Sequence, residues 1–203
     1  MNYLVHLHLS GSDPETMIGN FMGDFVKGIL GDRYPEGIRD GLVLHRQIDT
    51  FAQHHPIFHR SRSRLSRQFG LYRGVLVDLF YDHFLAVEWD AWSIEPFEPW
   101  LVRMRMIVEE HRPLLPERLQ GLVPVIFGEL LPSYREIDGI GHALERMSRR
   151  VRRPNPLAGG WEELVGNYEG LRDDFRGFVP SAQDFVRERL LMRPFTATQA
   201  CAR

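Results

Sequence analysis

The 203-residue chain has one cysteine, Cys201, and one lysine, Lys27. A single thiol excludes an intramolecular disulfide, so packing and hydrogen bonding must hold the fold, and this usage fits a reducing compartment. No window approaches the roughly 18 uninterrupted apolar residues of a membrane helix. The start, MNYLVHLHLSGSDPET, lacks the basic n-region and long apolar h-region of a secretory signal. These absences lead to the expectation of a soluble, cytoplasmic protein with no membrane partner. An excess of one charge is missing as well: 25 Lys and Arg against 27 Asp and Glu leave a formal net charge of -2. That balance gives no global case for a nucleic-acid partner. Apart from Lys27, the strong bases are all arginine. The planar guanidinium fork suits phosphate and carboxylate recognition, although a codon bias gives the same preference.

What the chain does have is helix punctuation. At 43% hydrophobic and 26% charged residues it reads as one globular domain around one core, with no internal repeat or low-complexity linker. In SGSDPETMIGNFMGDFVKGIL, Ser12 as N-cap, Glu15 three residues on and Pro14 in the first turn predict a helix from Pro14 to Leu30. A second helix is expected from Pro35 to before Pro56, a third over Ile57–Gln68 and a fourth over Leu71–Trp89. Four later stretches, bounded by Pro or Gly, carry helix-spaced apolar residues. Tyr3–Leu9 alternates like a short strand, but nothing near it supplies a partner strand. The expectation is an all-α, single-domain bundle of about eight helices over residues 1–192, with a loose tail at 193–203.

Polar side chains recur at helical spacing on otherwise apolar segments. Asn20 with Asp24, His45 with Asp49, and Asp78 with Asp82 are each i, i+4 pairs, so each pair shares a helix face; His83 follows directly. Three such pairs can converge on one ion inside a bundle, and a mixture of imidazole and carboxylate suits Mn, Fe or Zn. Local ion pairs are the competing explanation: Asp24 with Lys27 and Asp49 with Arg46 are both i, i+3, and His45 could be a satisfied core histidine. Asp78 and Asp82 resist that explanation, because like charges one turn apart in the apolar VLVDLFYDHFLAVEW need something to neutralise them. His54, His55 and His59 read as loop histidines around Pro56. His6 and His8 share a face in a strand and diverge in a helix.

In order and spacing, MNYLVHLHLS, GNFMGDFVKG, GLVLHRQIDTFAQHHP and GVLVDLFYDHFLAVEW resemble the signature blocks of the acyl carrier protein phosphodiesterases. The resemblance is strongest over residues 1–90 and continues more weakly through LPSYREIDGIGHALERMSRRV to about Phe178. It implies an all-α, HD-domain-like phosphohydrolase that removes the 4′-phosphopantetheine arm from holo acyl carrier protein with a divalent metal. Mn²⁺ is the preferred ion, with Mg²⁺ or another divalent ion as the alternative. Carried over by position, it implies Asp24, His45, Asp49 and Asp78 as metal ligands. Asp24, Asp82 and His83 then handle the attacking water or the departing serine oxygen. Asn20, His6, Lys27 and Arg46 are expected around them, supporting the ligands or touching substrate. The chain departs from the HD hallmark in one respect: Asp82 precedes His83, the reverse of the usual His-Asp doublet.

The implied substrate is a small acidic protein, which calls for a basic docking surface. HRSRSRLSRQFGLYR holds Arg60, Arg62, Arg64, Arg67 and Arg73 with no acid, and the first four are the expected partner-binding residues. The second run, ERMSRRVRR, reads as a solvated helix face. Two rival functions remain at this level: an HD-type phosphohydrolase acting on a nucleotide or other small phosphoester, and a non-catalytic module that binds carrier protein.

Overall fold

The computed structural model describes residues 2–192 and is helical, with no strand among them. The elements are α1 (Tyr3–His8), α2 (Pro14–Phe21), a 3₁₀ turn (Gly23–Phe25), α3 (Glu36–His54), α4 (Pro56–Arg64), α5 (Tyr72–Val87), α6 (Trp89–Trp92) and α7 (Phe97–Glu110). A run of short turns follows: α8 (Glu117–Gln120), α9 (Val123–Val125), a π turn (Ile126–Leu130) and α10 (Leu131–Ser133). The chain then forms α11 (Ile137–Arg150), α12 (Trp161–Gly166) and α13 (Tyr168–Leu191). One continuous hydrophobic core extends from Leu4 to Val186. The predicted loose tail and Cys201 lie outside the described residues. No helix in the described residues is long and apolar enough to cross a membrane.

α5 is the hub. Leu76, Val77 and every residue from Leu79 to Ala86 are buried, so this helix is covered on all sides, chiefly by α1, α4, α11 and α13. A helix apolar all round belongs in such a position, and each polar group it carries inward must find a partner.

The structure corrects several predicted boundaries. The Tyr3–Leu9 stretch is helical: Asp82 accepts hydrogen bonds from the N–H groups of Leu4 and Val5, both at 2.9 Å, and so satisfies donors that a helix start leaves open. The cap of α2 is Asp13, which accepts from the Thr16 N–H, rather than Ser12. That helix stops at Phe21 and does not reach Leu30. A Cβ on Gly23 would stand 2.1 Å from the His45 ring, so the chain turns there with only a hydrogen against the imidazole. One of the four later stretches expected to be helical, LPERLQGLVPVIFGELL over 115–131, is broken into turns, because Pro124 removes an N–H from the ladder; Pro132 does the same in α10.

α2 and α3 pack backbone to backbone. A Cβ on Gly19 would meet the Ile38 carbonyl at 2.1 Å, and one on Gly41 would meet the Thr16 carbonyl at 2.2 Å. This approach brings the end of α2 within hydrogen-bond reach of side chains on α3.

Candidate metal centre

At the junction of α1, α2 and α3 the rings of His6 and His45 stack, with centroids 4.0 Å apart. Both rings are buried and both are oriented by Asn20. The Nδ1–H of His6 donates to the Asn20 side-chain oxygen at 2.7 Å, and the Nδ1–H of His45 donates to the Asn20 backbone carbonyl at 2.9 Å. The Asn20 amide is itself fixed, since its Nδ2 donates to the His6 carbonyl and to Ser10 Oγ. With Nδ1 the protonated position in each ring, Nε2 of the neutral imidazole carries a lone pair.

Those two Nε2 atoms face one carboxylate. His6 Nε2 lies 3.2 Å from Asp49 Oδ1, and His45 Nε2 lies 3.3 Å from Asp49 Oδ2 and 3.8 Å from Asp24 Oδ1. Acceptors meeting acceptors at such distances require a positive charge between them, either a proton or a cation. Burial lowers the His6 pKa to about 4, so this ring is neutral at pH 7 and does not supply the proton. Burial acts in the same direction on His45, but the Asp24 and Asp49 carboxylates overcome it and raise its pKa to about 9. The centre therefore attracts cations. His6, His45 and Asp49 each offer a ligand atom within 4.8 Å of the others, a donor set compatible with a divalent metal.

Asp24 sits in the 3₁₀ turn at the edge of the centre with its side chain 53% exposed, 3.7 Å from Lys27 Nζ. Asp78 lines the same cleft, about 620 Å³ in volume, together with Asp24 and Asp49. Burial raises the Asp78 pKa, and the charges of Asp49 and Asp24 raise it further. Arg46 donates to the carbonyls of Val26 and Gly28 and so ties the loop after Asp24 back to α3.

Three predicted neighbours are not brought together. Asp82 has both oxygens on the amides of α1 and supports the helix that carries His6. His83 points elsewhere: its Nδ1 donates to the Tyr134 carbonyl at 2.7 Å and its Nε2 accepts from the Tyr168 hydroxyl at 3.1 Å. Asp78 alone of the three lines the cleft. The i, i+4 spacing of Asp78 and Asp82 puts them on the same side of α5, yet one turn is enough to pass from the cleft wall to the start of α1.

Two of the four predicted docking arginines, Arg60 and Arg64, are engaged within the chain. Arg60 Nε and Arg64 Nε donate to Asp174 at 2.6 and 2.7 Å, and Ser61 Oγ adds a third donor at 2.9 Å. Arg62 lines the cleft and Arg67 is exposed. Among the three expected loop histidines, His55 caps α4 by accepting from the Ile57 N–H, while the exposed His54 and His59 line the cleft.

His6 is the residue that sequence reasoning undervalued, because only the helical state of α1 decides which of His6 and His8 points at the centre. In a helix the two are about 200° apart, and His8 packs edge-on against Trp89 instead. Asp174 was missed altogether. Its signal was a lone carboxylate beside Leu171, Phe175 and Phe178 on the buried face of α13.

Fold and site together define an all-helical protein with a buried histidine–carboxylate centre of metal-binding composition. The family model described as acyl carrier protein phosphodiesterase matches residues 1–182. The chain belongs to the acyl carrier protein phosphodiesterase family. It is 30% identical over 195 residues to the acyl carrier protein phosphodiesterase of Serratia proteamaculans, covering 94% of this chain and all of that one. It is 31% identical over 183 residues to the protein of that name from Yersinia pestis, covering 89% and 95% of the two chains. The counterpart from Photorhabdus laumondii is 29% identical over 185 residues, with 89% and 92% covered. No solved structure matches the chain.

Proposed function

We propose that this protein is a cytoplasmic, metal-dependent phosphodiesterase that hydrolyses the bond between the carrier-protein serine and 4′-phosphopantetheine. The observation that carries the reading is the meeting of two buried, Nδ1-protonated imidazoles with the Asp49 carboxylate, an arrangement that calls for a cation. His6, His45 and Asp49 would hold a divalent ion, most simply Mn²⁺, with the oxygens of Asp24 and Asp78 beside them. When bound, such an ion supplies Lewis acidity, bringing the pKa of a water toward about 7 and drawing charge from the phosphoryl group.

The chain's own residues do the rest. Asn20 keeps both imidazoles in the tautomer that presents Nε2. Asp24, half-exposed at the mouth of the centre, is placed to hold the attacking water and take its proton. Asp82 and His83 act at one remove: Asp82 fixes α1, and His83 fixes Tyr134. The reading needs no charge relay through either.

The test is mass-spectrometric conversion of holo to apo carrier protein in Mn²⁺, with His6→Ala and EDTA controls. Loss of one phosphopantetheine, abolished by both controls, supports the proposal. Mn²⁺ binding without conversion would redirect it to another phosphoester. Absence of both would reduce the centre to a protonated His45 paired with Asp49.

A further inference from the structure

The metal centre opens into two clefts, and Asp24 is the one described residue that lines both. The larger, about 620 Å³, has the side-chain amides of Asn2 and Gln53 alongside Phe58, Leu71, Val75 and Met147 in its walls, and Arg62, beside His54 and His59, is its one strong base among the described residues. The smaller, about 440 Å³, is lined by Tyr3, Asp24, Phe25, Lys27, Pro116 and Arg118. Arg150 ends α11 and acts electrostatically on the Tyr3 hydroxyl of this cleft. Burial and the Asp24 charge raise the Tyr3 pKa to about 12, while Arg150 and Arg118 act on the same hydroxyl in the opposite sense. Both arginines are exposed, and no carboxylate among the described residues forms an ion pair with either.

A phosphodiester has two arms leaving one phosphorus, and the two clefts leave one centre. The phosphate charge belongs at the centre itself. Beyond the phosphate, the pantetheine arm is an uncharged chain of amides and methylenes, which matches the amide and apolar walls of the larger cleft and offers nothing to a cation. The positive charges around the smaller cleft therefore need their counterpart on the other arm, the protein. We infer that Lys27, Arg118 and Arg150 form the docking rim for the acidic carrier protein, and that the pantetheine arm lies in the larger cleft. This assignment rests on the function proposed above and moves the docking surface away from Arg60 and Arg64, whose charges Asp174 already takes. Rim charges of this kind act on encounter and orientation, so their effect appears in KM and in its salt dependence.

The experiment compares wild type, the double reversal Arg118→Glu with Arg150→Glu, and a control reversal Arg67→Glu with Arg73→Glu, two residues that line neither cleft. Holo-to-apo conversion is followed by mass spectrometry, and apo carrier protein binding by fluorescence anisotropy. Lys27 is left alone because it touches Asp24. The Arg118/Arg150 reversal is expected to raise KM and weaken apo-protein binding by about tenfold or more, with kcat within about threefold. The wild-type KM should also rise as ionic strength increases from about 0.02 to about 0.3 M, and that of the reversal much less. The control should stay within about twofold of wild type. An unchanged KM for the Arg118/Arg150 reversal, a fall confined to kcat, or a larger effect from Arg67 and Arg73 would each overturn the assignment. If wild type binds carrier protein without converting it, the catalytic reading fails, and anisotropy alone decides the docking surface. If it does neither, both fall.

Discussion

Two regions of this protein bury carboxylates among basic side chains, and they resolve the problem in opposite ways. Along the seam of α4, α5 and α13, Asp174 is completely buried and receives Arg60, Arg64 and Ser61; the Ser61 hydroxyl in turn accepts from Tyr81. Every acceptor there faces a donor. At the corner of α1, α2 and α3, Asp49 faces the Nε2 atoms of two imidazoles whose Nδ1 protons are committed to Asn20, so only a second proton on His45 or a cation can join them. The first region closes its charge with the chain's own atoms; the second leaves room for a cation. Closure of that kind marks a structural site, and the convergence of acceptors marks a functional one.

The sharpest way to break the comparison is to remove the carboxylate from each region. Asp49→Ala should lower turnover at least about 100-fold, since even residues that only support metal ligands cost 10–100-fold. In the metal-free protein the same change should cost less stability than loss of Asp174, because the imidazole it strands can give up its proton and an arginine cannot. Asp174→Ala should do the reverse: turnover within about threefold, but a stability loss of about 3 kcal/mol from two stranded arginines, moderated by their partial exposure. Calorimetry would register that loss as about 6–12 °C in Tm. If Asp49→Ala destabilised the metal-free chain as much as Asp174→Ala, the two regions would be of one kind.

Mn²⁺ at about 100 times its Kd should raise the wild-type Tm by about 5–10 °C. Asp174→Asn should keep this shift and His6→Ala should lose it, as read by a thermal melt with and without EDTA. Asn20→Ala, which frees the His6 imidazole to change tautomer and leaves His45 on the backbone carbonyl, should weaken Mn²⁺ binding by about 10–100-fold in a calorimetric titration.

Acid tests the Asp174 seam directly. Burial works against the ionised form of Asp174, but Arg64, then Arg60 and Ser61, hold its pKa below the usual carboxylate range. The unfolded chain, with an ordinary Asp pKa of about 3.9, takes up that proton first as pH falls. The Asp174 contribution is therefore complete above about pH 4 and drains away below it, as the pH falls through the folded pKa. Tm measured from pH 6 to pH 3 should fall less steeply in Asp174→Asn than in wild type. The smallest effect on turnover belongs to His83→Gln, within about threefold, because that ring serves Tyr134 and Tyr168 rather than the cleft; a loss of 100-fold would return His83 to the chemistry.

The sequence pattern alone reaches the all-helical fold, the placement of α3 between Pro35 and Pro56, and the shared face of His45 and Asp49, since all three follow from periodicity and punctuation within one segment. Asn20 was legible as a neighbour of the ligands, although its contact with His45 depends on the glycine-to-glycine approach of α2 and α3. The roles of His6, Asp82 and Asp174 were not legible in the same way. Each depends on a partner far along the chain: Asp82 meets the start of α1, and Asp174 meets α4.

Spacing determines what one helix presents on one face, because 3.6 residues per turn is a local property. Which face meets which depends on how the helices cross. The tertiary structure alone decided that one carboxylate of α5 would line a cleft while the next caps a helix. It also decided that Arg60 and Arg64 of the arginine run would turn inward to Asp174, a carboxylate more than 100 residues further along the chain.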